Sequence, residues 1–322
     1  MKILVAGGAG YIGSLLVPKL LDRGYEVDVV DLLWFGNNLP MQVKVIQKDI
    51  FSLKEENVKG YEQIIFLAGL SNDPMAEFSP SMNFVFNASA PAYLAYIAKR
   101  AGVKRFIYAG SCSVYGYTVN ELYNEESPAV SNYPYGISKL QGEQASLQMA
   151  DENFSVICFR QGTVSGYSPR MRLDLIVNTM FKSALEKNEI YISNPSIWRP
   201  ILSIEDAVNG YVRAIEASSS ISGIFNIASG NFTVGEVADY VKTAVDKHFS
   251  KKISLNIKHI QDFRNYKVSI EKATNILSFK PKHDVESILE NLIANYDAFK
   301  DFSNPNFYNI HVFKNIESSI KL

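Results

Sequence analysis

The chain has 322 residues, 47% of them hydrophobic, which is enough to bury a full core; 32 Lys and Arg against 33 Asp and Glu leave no global positive field to gather nucleic acid or anionic lipid. Cys112 and Cys158 alone cannot build a disulfide framework or a four-thiolate zinc site, which points to a reducing, cytoplasmic setting and to no bound metal. No apolar run approaches the roughly 20 residues of a bilayer span, and the run Ile3 to Ala6 is too short for a signal peptide, so no membrane role is expected.

Strand-length apolar runs are expected at 2–7, 26–31, 43–47, 63–68, 105–109 and 155–160. Helical spacing is expected near 11–23, 81–101 and 135–151. Such alternation predicts an α/β fold, a doubly wound parallel sheet with helices on both faces. After Arg160 the text becomes loop-rich, then helical from 173 to about 187, and one more strand is expected at 223–229. The division predicted is a dinucleotide-binding domain over 1–165, with a strand returning near 200–228, and a smaller C-terminal substrate lobe over 166–322. The tail from Ser303 to Leu322 is expected to pack loosely or to join a partner.

Glycines at 7, 10 and 13 follow the first strand directly and open the first helix. A bare three-glycine pattern also suits an ordinary tight turn. Strand before and helix after favour a phosphate cradle, in which the backbone of Gly7, Gly10, Tyr11, Ile12 and Gly13 approaches a pyrophosphate. Asp31 ends the second strand 18 residues beyond Gly13, where a carboxylate accepts hydrogen bonds from an adenosine ribose. It would also repel the extra phosphate of NADP, and no Arg follows it, so NAD is favoured. Asp49 and Ile50 are candidates for the adenine, and Leu67, Ala68 and Gly69 for the pyrophosphate and ribose.

Tyr135 and Lys139 stand four residues apart on one helix face. An ammonium and a nicotinamide cation would both favour phenolate, lowering a pKa that is ordinarily about 10. Upstream, the strand 105–109 runs into Gly110-Ser111-Cys112-Ser113-Val114-Tyr115-Gly116 and presents hydroxyls at its end. This set resembles the Ser/Thr and Tyr-x-x-x-Lys constellation of extended short-chain dehydrogenases, and the Val-Tyr-Gly ending resembles nucleotide-sugar epimerases and dehydratases.

That resemblance spans nearly the whole chain and implies the Rossmann fold, NAD as cofactor and a nucleotide-diphosphate sugar as substrate. It implies Ser111, Tyr135 and Lys139 as catalytic residues, with Ser113 the less favoured choice for the catalytic hydroxyl and otherwise beside the sugar. Trp198-Arg199-Pro200 and Asp262-Phe263-Arg264 look like the family's diphosphate-binding segments, so Arg199 and Arg264 are expected at the substrate. Asn178 is expected there too, with Arg170 and Arg172 as lesser candidates. Ser71 and Asn72 are expected to border the sugar, although Ser71-Asn72-Asp73 also suits turn chemistry. Asn87 reads as support for the active-site strand.

The family's 4,6-dehydratases carry Asp-Glu after the catalytic hydroxyl. Cys112-Ser113 stands there in this chain and disfavours dehydration. Reversible oxidation at a ring carbon, usually carbon 4, remains, as an epimerase or a 4-dehydrogenase. The alternatives are an NADPH-dependent keto-sugar reductase and a non-catalytic dinucleotide sensor. Dimers are usual for the family, which implies a homodimer.

Overall fold

The computed structural model describes residues 1–258 and 265–319. Seven strands form one wholly parallel sheet. Lys2–Ala6 lies centrally, with Glu26–Asp31 and then Lys44–Gln47 on one side. On the other side stand Gln63–Phe66, Arg105–Ala109, Ser155–Gln161 and Gly223–Ile227, in that order. The chain therefore winds outward from Lys2–Ala6 in both directions. The resulting switch point leaves a crevice at the carboxyl ends of the central strands, where an α/β sheet binds ligands.

Parallel strands covered on both faces read as continuous apolar runs. Ile3, Val5, Val29, Ile65, Ile107, Ile157 and Phe159 accordingly pack on one face with helices Gly13–Asp22 and Ile204–Glu216. Leu4, Val30, Ile64, Phe66, Phe106 and Val156 pack on the other with helix Ala90–Arg100. A second core, built from Val177, Phe181, Ile190, Ile201, Val237, Val241, Ile288 and Leu292, lies among helices Ile176–Lys187, Val234–Phe249 and Val285–Ala294. Strand Gly223–Ile227 returns to the main sheet beside Ser155–Gln161, as expected. Among the described residues, no helix is long and apolar enough to cross a membrane.

Two expected helices differ in detail. The segment 81–101 is broken into Pro80–Phe84, a single π-helical turn Val85–Ser89, and Ala90–Arg100. Pro91 has no N–H to donate back to the Asn87 carbonyl, and the Tyr108 hydroxyl takes that carbonyl at 3.0 Å instead. The helix expected from 173 begins at Ile176, because the backbone ahead of it is still extended at Leu175, φ −105° and ψ 147°, while the Leu173 N–H pairs with the Phe307 carbonyl at 2.9 Å.

A buried ion pair fixes the helix Pro134–Leu147 to the sheet. Arg160, on Ser155–Gln161, donates through Nε to Glu143 Oε2 at 2.9 Å and through Nη2 to Oε1 at 2.7 Å. Its Nη1 donates to the Tyr115 hydroxyl at 2.9 Å, which donates in turn to Asn226 Oδ1 at 2.8 Å. Removing one partner of a buried pair strands the other's charge, at a cost of about 3–5 kcal/mol. Glu143→Ala is expected to lower the unfolding free energy by about that amount in urea titration, and a change below about 1 kcal/mol would contradict this account.

Candidate active site

The glycine loop begins where Lys2–Ala6 ends. Gly7 has φ +77°, and a Cβ there would lie 2.5 Å from the Ala68 backbone nitrogen, so both conformation and space require glycine. At Gly13 a Cβ would meet the Gly8 carbonyl oxygen at 2.2 Å. Gly13 does not border the cleft; it lets the first helix pack close. Asp31 accepts from the N–H groups of Ala9, at 3.0 Å, and Leu33, at 2.8 Å, while burial pushes its carboxyl above the usual range.

One end of the cleft is bordered by Gly7, Gly10 and Asp31, by Asp49 and Ile50, and by Leu67, Ala68 and Gly69. These are the positions expected for a dinucleotide, and Tyr11 and Ile12 line the continuation toward the helix 134–147. Trp34, Phe35, Lys48 and Phe86 also border this end. Sequence reasoning missed them, since nothing local to each marks it as a wall residue.

At the end of Arg105–Ala109, the Ser111 side chain accepts from the Ser113 N–H at 3.2 Å and from the Ser113 hydroxyl at 2.9 Å. This caps a single turn of 3₁₀ helix, Cys112–Tyr115, and holds both hydroxyls at the cleft. The nearby Arg172 charge works toward the Tyr135 phenolate, against the cost of burial. Lys139 lies one turn along, its Nζ donating to the Ala109 carbonyl at 2.9 Å and standing 5.9 Å from the Tyr135 ring centroid.

The expected tuning of the phenol is not a property of the protein alone. Burial pushes Tyr135 up to about 12 and drives Lys139 down to about 7. Desolvation penalises both charged forms and outweighs the mutual attraction that spacing alone suggests. Asn87, expected to support the active-site strand, meets it through its carbonyl, which accepts from the Tyr108 hydroxyl, while its side chain braces the Tyr135 helix and the segment after the fourth strand. Its Nδ2 donates to the Leu70 carbonyl at 2.8 Å, to Asn83 Oδ1 at 2.8 Å and to the Ser138 hydroxyl at 3.2 Å.

The cleft, about 610 Å³, continues past Tyr135 to Ser71, Asn72, Ser113 and Arg199. Asn72 has φ +83°, accepts from the Met75 N–H at 3.3 Å and donates to Asp174 Oδ2 at 3.0 Å, so turn chemistry and cleft wall coexist in it. Arg199 donates through Nη1 to the Trp198 carbonyl at 3.0 Å and lies 5.5 Å from the Tyr266 ring centroid. Arg172 borders the cleft but is held in a two-pronged pair with Asp174, at 2.9 and 3.0 Å. Arg264 falls outside the described residues.

Asn178 is a correction. It is fully buried and does not line the cleft. Its Oδ1 accepts from the Gly166 N–H at 3.0 Å, and its Nδ2 donates to the Arg172 carbonyl at 2.8 Å and to the Tyr11 hydroxyl at 3.2 Å. The side chain is consumed in tying the glycine-loop tyrosine to the second lobe. Gln161 and Thr163, missed earlier, border the cleft at the carboxyl end of Ser155–Gln161, a position where a parallel sheet places ligand contacts.

The family model described as the NAD dependent epimerase/dehydratase family matches residues 3–228. A UDP-glucose 4-epimerase of Corynebacterium glutamicum is 24% identical over 94% of this chain and 98% of its own. UDP-glucuronic acid decarboxylase 1 of Arabidopsis thaliana is 25% identical over 92% of this chain and 70% of its own. Among solved structures, a UDP-glucose 4-epimerase of Thermotoga maritima with UDP-glucose superposes with a TM-score of 0.83 at 25% identity, covering 94% of this chain and all of that one.

The buried lysine makes the site's electrostatics measurable. Lys139 is lowered to about 7 in the folded protein from an ordinary 10.5, so between those values the unfolded chain binds more protons and stability rises with pH. Below about 7 both states carry the charge, and the folding penalty is at its full value. Lys139→Met is therefore expected to stabilise the cofactor-free protein at pH 6, with an advantage that shrinks toward pH 10 in urea unfolding. An advantage that did not change with pH would contradict burial as the cause.

Proposed function

The chain belongs to the NAD dependent epimerase/dehydratase family, and from that premise we propose that it oxidises a ring carbon, carbon 4, of a nucleotide-diphosphate sugar. The cofactor is NAD, and the enzyme works as an epimerase or a 4-dehydrogenase. The observation that carries this reading is a single cleft shared by the glycine loop, by the Ser111, Tyr135 and Lys139 side chains, and by Arg199. The residues fit a dinucleotide: the loop leaves no room for a Cβ at Gly7, and the Asp31 carboxylate stands at the end of the second strand.

NAD, when bound, supplies a hydride acceptor and a positive charge beside the sugar. Tyr135 takes the proton of the hydroxyl on the carbon being oxidised. Lys139 lies one helical turn from that phenol and favours its anionic form whenever the lysine is protonated. Ser111 and Ser113 orient the reacting oxygen. Arg199, with Arg264, grips the diphosphate through charge-assisted hydrogen bonds. Ser71 and Asn72 border the sugar. The lobe after residue 165, apart from the helix and strand that rejoin the sheet, is assigned to the nucleotide sugar.

Elimination of water is disfavoured for a physical reason. Cys112 is 1% exposed, its thiol donates to the Arg160 carbonyl at 3.2 Å, and burial pushes its pKa up. Neither it nor the Ser113 hydroxyl supplies the additional acid and base that dehydration requires. Asp31 argues for NAD over NADP, since a second anion beside a buried carboxylate is repelled. A homodimer in the cytoplasm completes the proposal, following the habit of the resembling family.

Incubation with UDP-, dTDP-, GDP- and CDP-sugars, uronic acids included, is expected to give turnover on at least one. Product stereochemistry and NADH absorbance then separate epimerisation from net oxidation. Tyr135→Phe is expected to bind NAD normally and to lose about 10²–10⁴-fold in turnover. Unchanged turnover in that variant would remove the mechanism.

A further inference from the structure

The family model ends at residue 228, yet a helix far beyond it, Asn309–Ser319, reaches back to the cleft. Asn309 is 6% exposed and borders the cleft. Its Nδ2 donates to the Ser71 hydroxyl at 2.9 Å, and its Oδ1 accepts from Arg170 Nη2. One turn on, Phe313 is 2% exposed, with its ring centroid 5.8 Å from Trp34 and 6.1 Å from Phe78. Trp34 in turn meets Phe86 edge-on at 5.5 Å, and both border the adenosine end of the cleft.

The helix thus joins two rims that the sequence keeps apart: the loop after the second strand, through Trp34, and the segment after the fourth, through Ser71. Arg170 places a buried cation beside the groove between those rims. It is 3% exposed and lies 3.6 Å over the Phe35 ring. Its Nε and Nη1 have no hydrogen-bond partner among the described residues. Burial and the neighbouring Arg172 lower its pKa to about 9, so an added anion would relieve a standing cost.

We propose that helix Asn309–Ser319 is a strap that retains the dinucleotide between turnovers, with Asn309 aiming Arg170 at its pyrophosphate and Phe313 clamping Trp34 over its adenosine. This rests on reading the groove as the NAD site and deepens that reading. A cofactor that stays bound suits a reaction in which hydride returns to the same sugar, as epimerisation requires. Net dehydrogenation needs the reduced cofactor to leave at every cycle.

The test is NAD release from the full-length enzyme, loaded with labelled NAD and chased with an excess of unlabelled NAD. Asn309→Ala and Phe313→Leu are each expected to speed release about tenfold or more, the scale of one lost buried contact. The melting point of the cofactor-free protein is expected to stay within a few degrees of wild type. Release within twofold of wild type in both variants would overturn the strap.

Hydrogen exchange on the wild-type protein needs no variant to fold. NAD is expected to slow exchange across residues 310–316, and unchanged rates there would also overturn the proposal. Failure of the wild-type enzyme to bind NAD at all would instead sink the dinucleotide reading. Normal binding with wild-type release from both variants would sink only the strap.

Discussion

A lysine ammonium buried against a strand-end carbonyl is the constraint on which this site depends. Lys139 cannot be solvated where it stands, and its hydrogen bond to the Ala109 carbonyl fixes it below Tyr135. The same burial that weakens its charge raises the phenol. The protein by itself therefore holds the phenol neutral and weakens the lysine's charge, and a cation arriving in the cleft is what shifts the balance toward phenolate.

Holding that lysine and phenol in register requires a closely packed, hydrogen-bonded helix seat. Glycine at 142 lets the helix Pro134–Leu147 approach the Asn87 carbonyl, since a Cβ there would stand 2.2 Å from that oxygen. Pro91 frees the carbonyl, Tyr108 takes it, and the π turn carries the Asn87 carboxamide toward Leu70 and Ser138. From the other side, Glu143 locks the same helix to Arg160 on the sheet. A local defect in one helix and a buried ion pair in another thus serve one purpose: they position Tyr135 at the open end of the sheet.

Much of this was legible in the sequence because it is local. Strand, glycine loop and helix follow one another within a few residues, Asp31 sits at a fixed distance beyond, and Tyr135 and Lys139 share a helix face by spacing alone. The rest depends on contacts between distant segments. Asn178 reads as a polar residue near an expected cleft, yet its side chain is spent on Gly166, Arg172 and Tyr11. No periodicity reveals that Phe313 meets Trp34, or that Arg170 lies beneath Asn309. The tail from Ser303, expected to pack loosely or to join a partner, contributes a buried phenylalanine and a cleft-lining asparagine of its own chain. The direction of the Tyr135 shift was also beyond reach, because spacing reports which charges are near and not how much water is excluded.

The most direct measurement is an ultraviolet difference titration of the phenol, wild type against Tyr135→Phe, with and without NAD. Without cofactor, Tyr135 should show no ionisation up to pH 10, in keeping with its rise to about 12. With NAD bound, the same phenol should ionise well below pH 10. Ionisation at the same pH in both states would contradict the claim that burial sets the resting state and the cofactor's charge releases it.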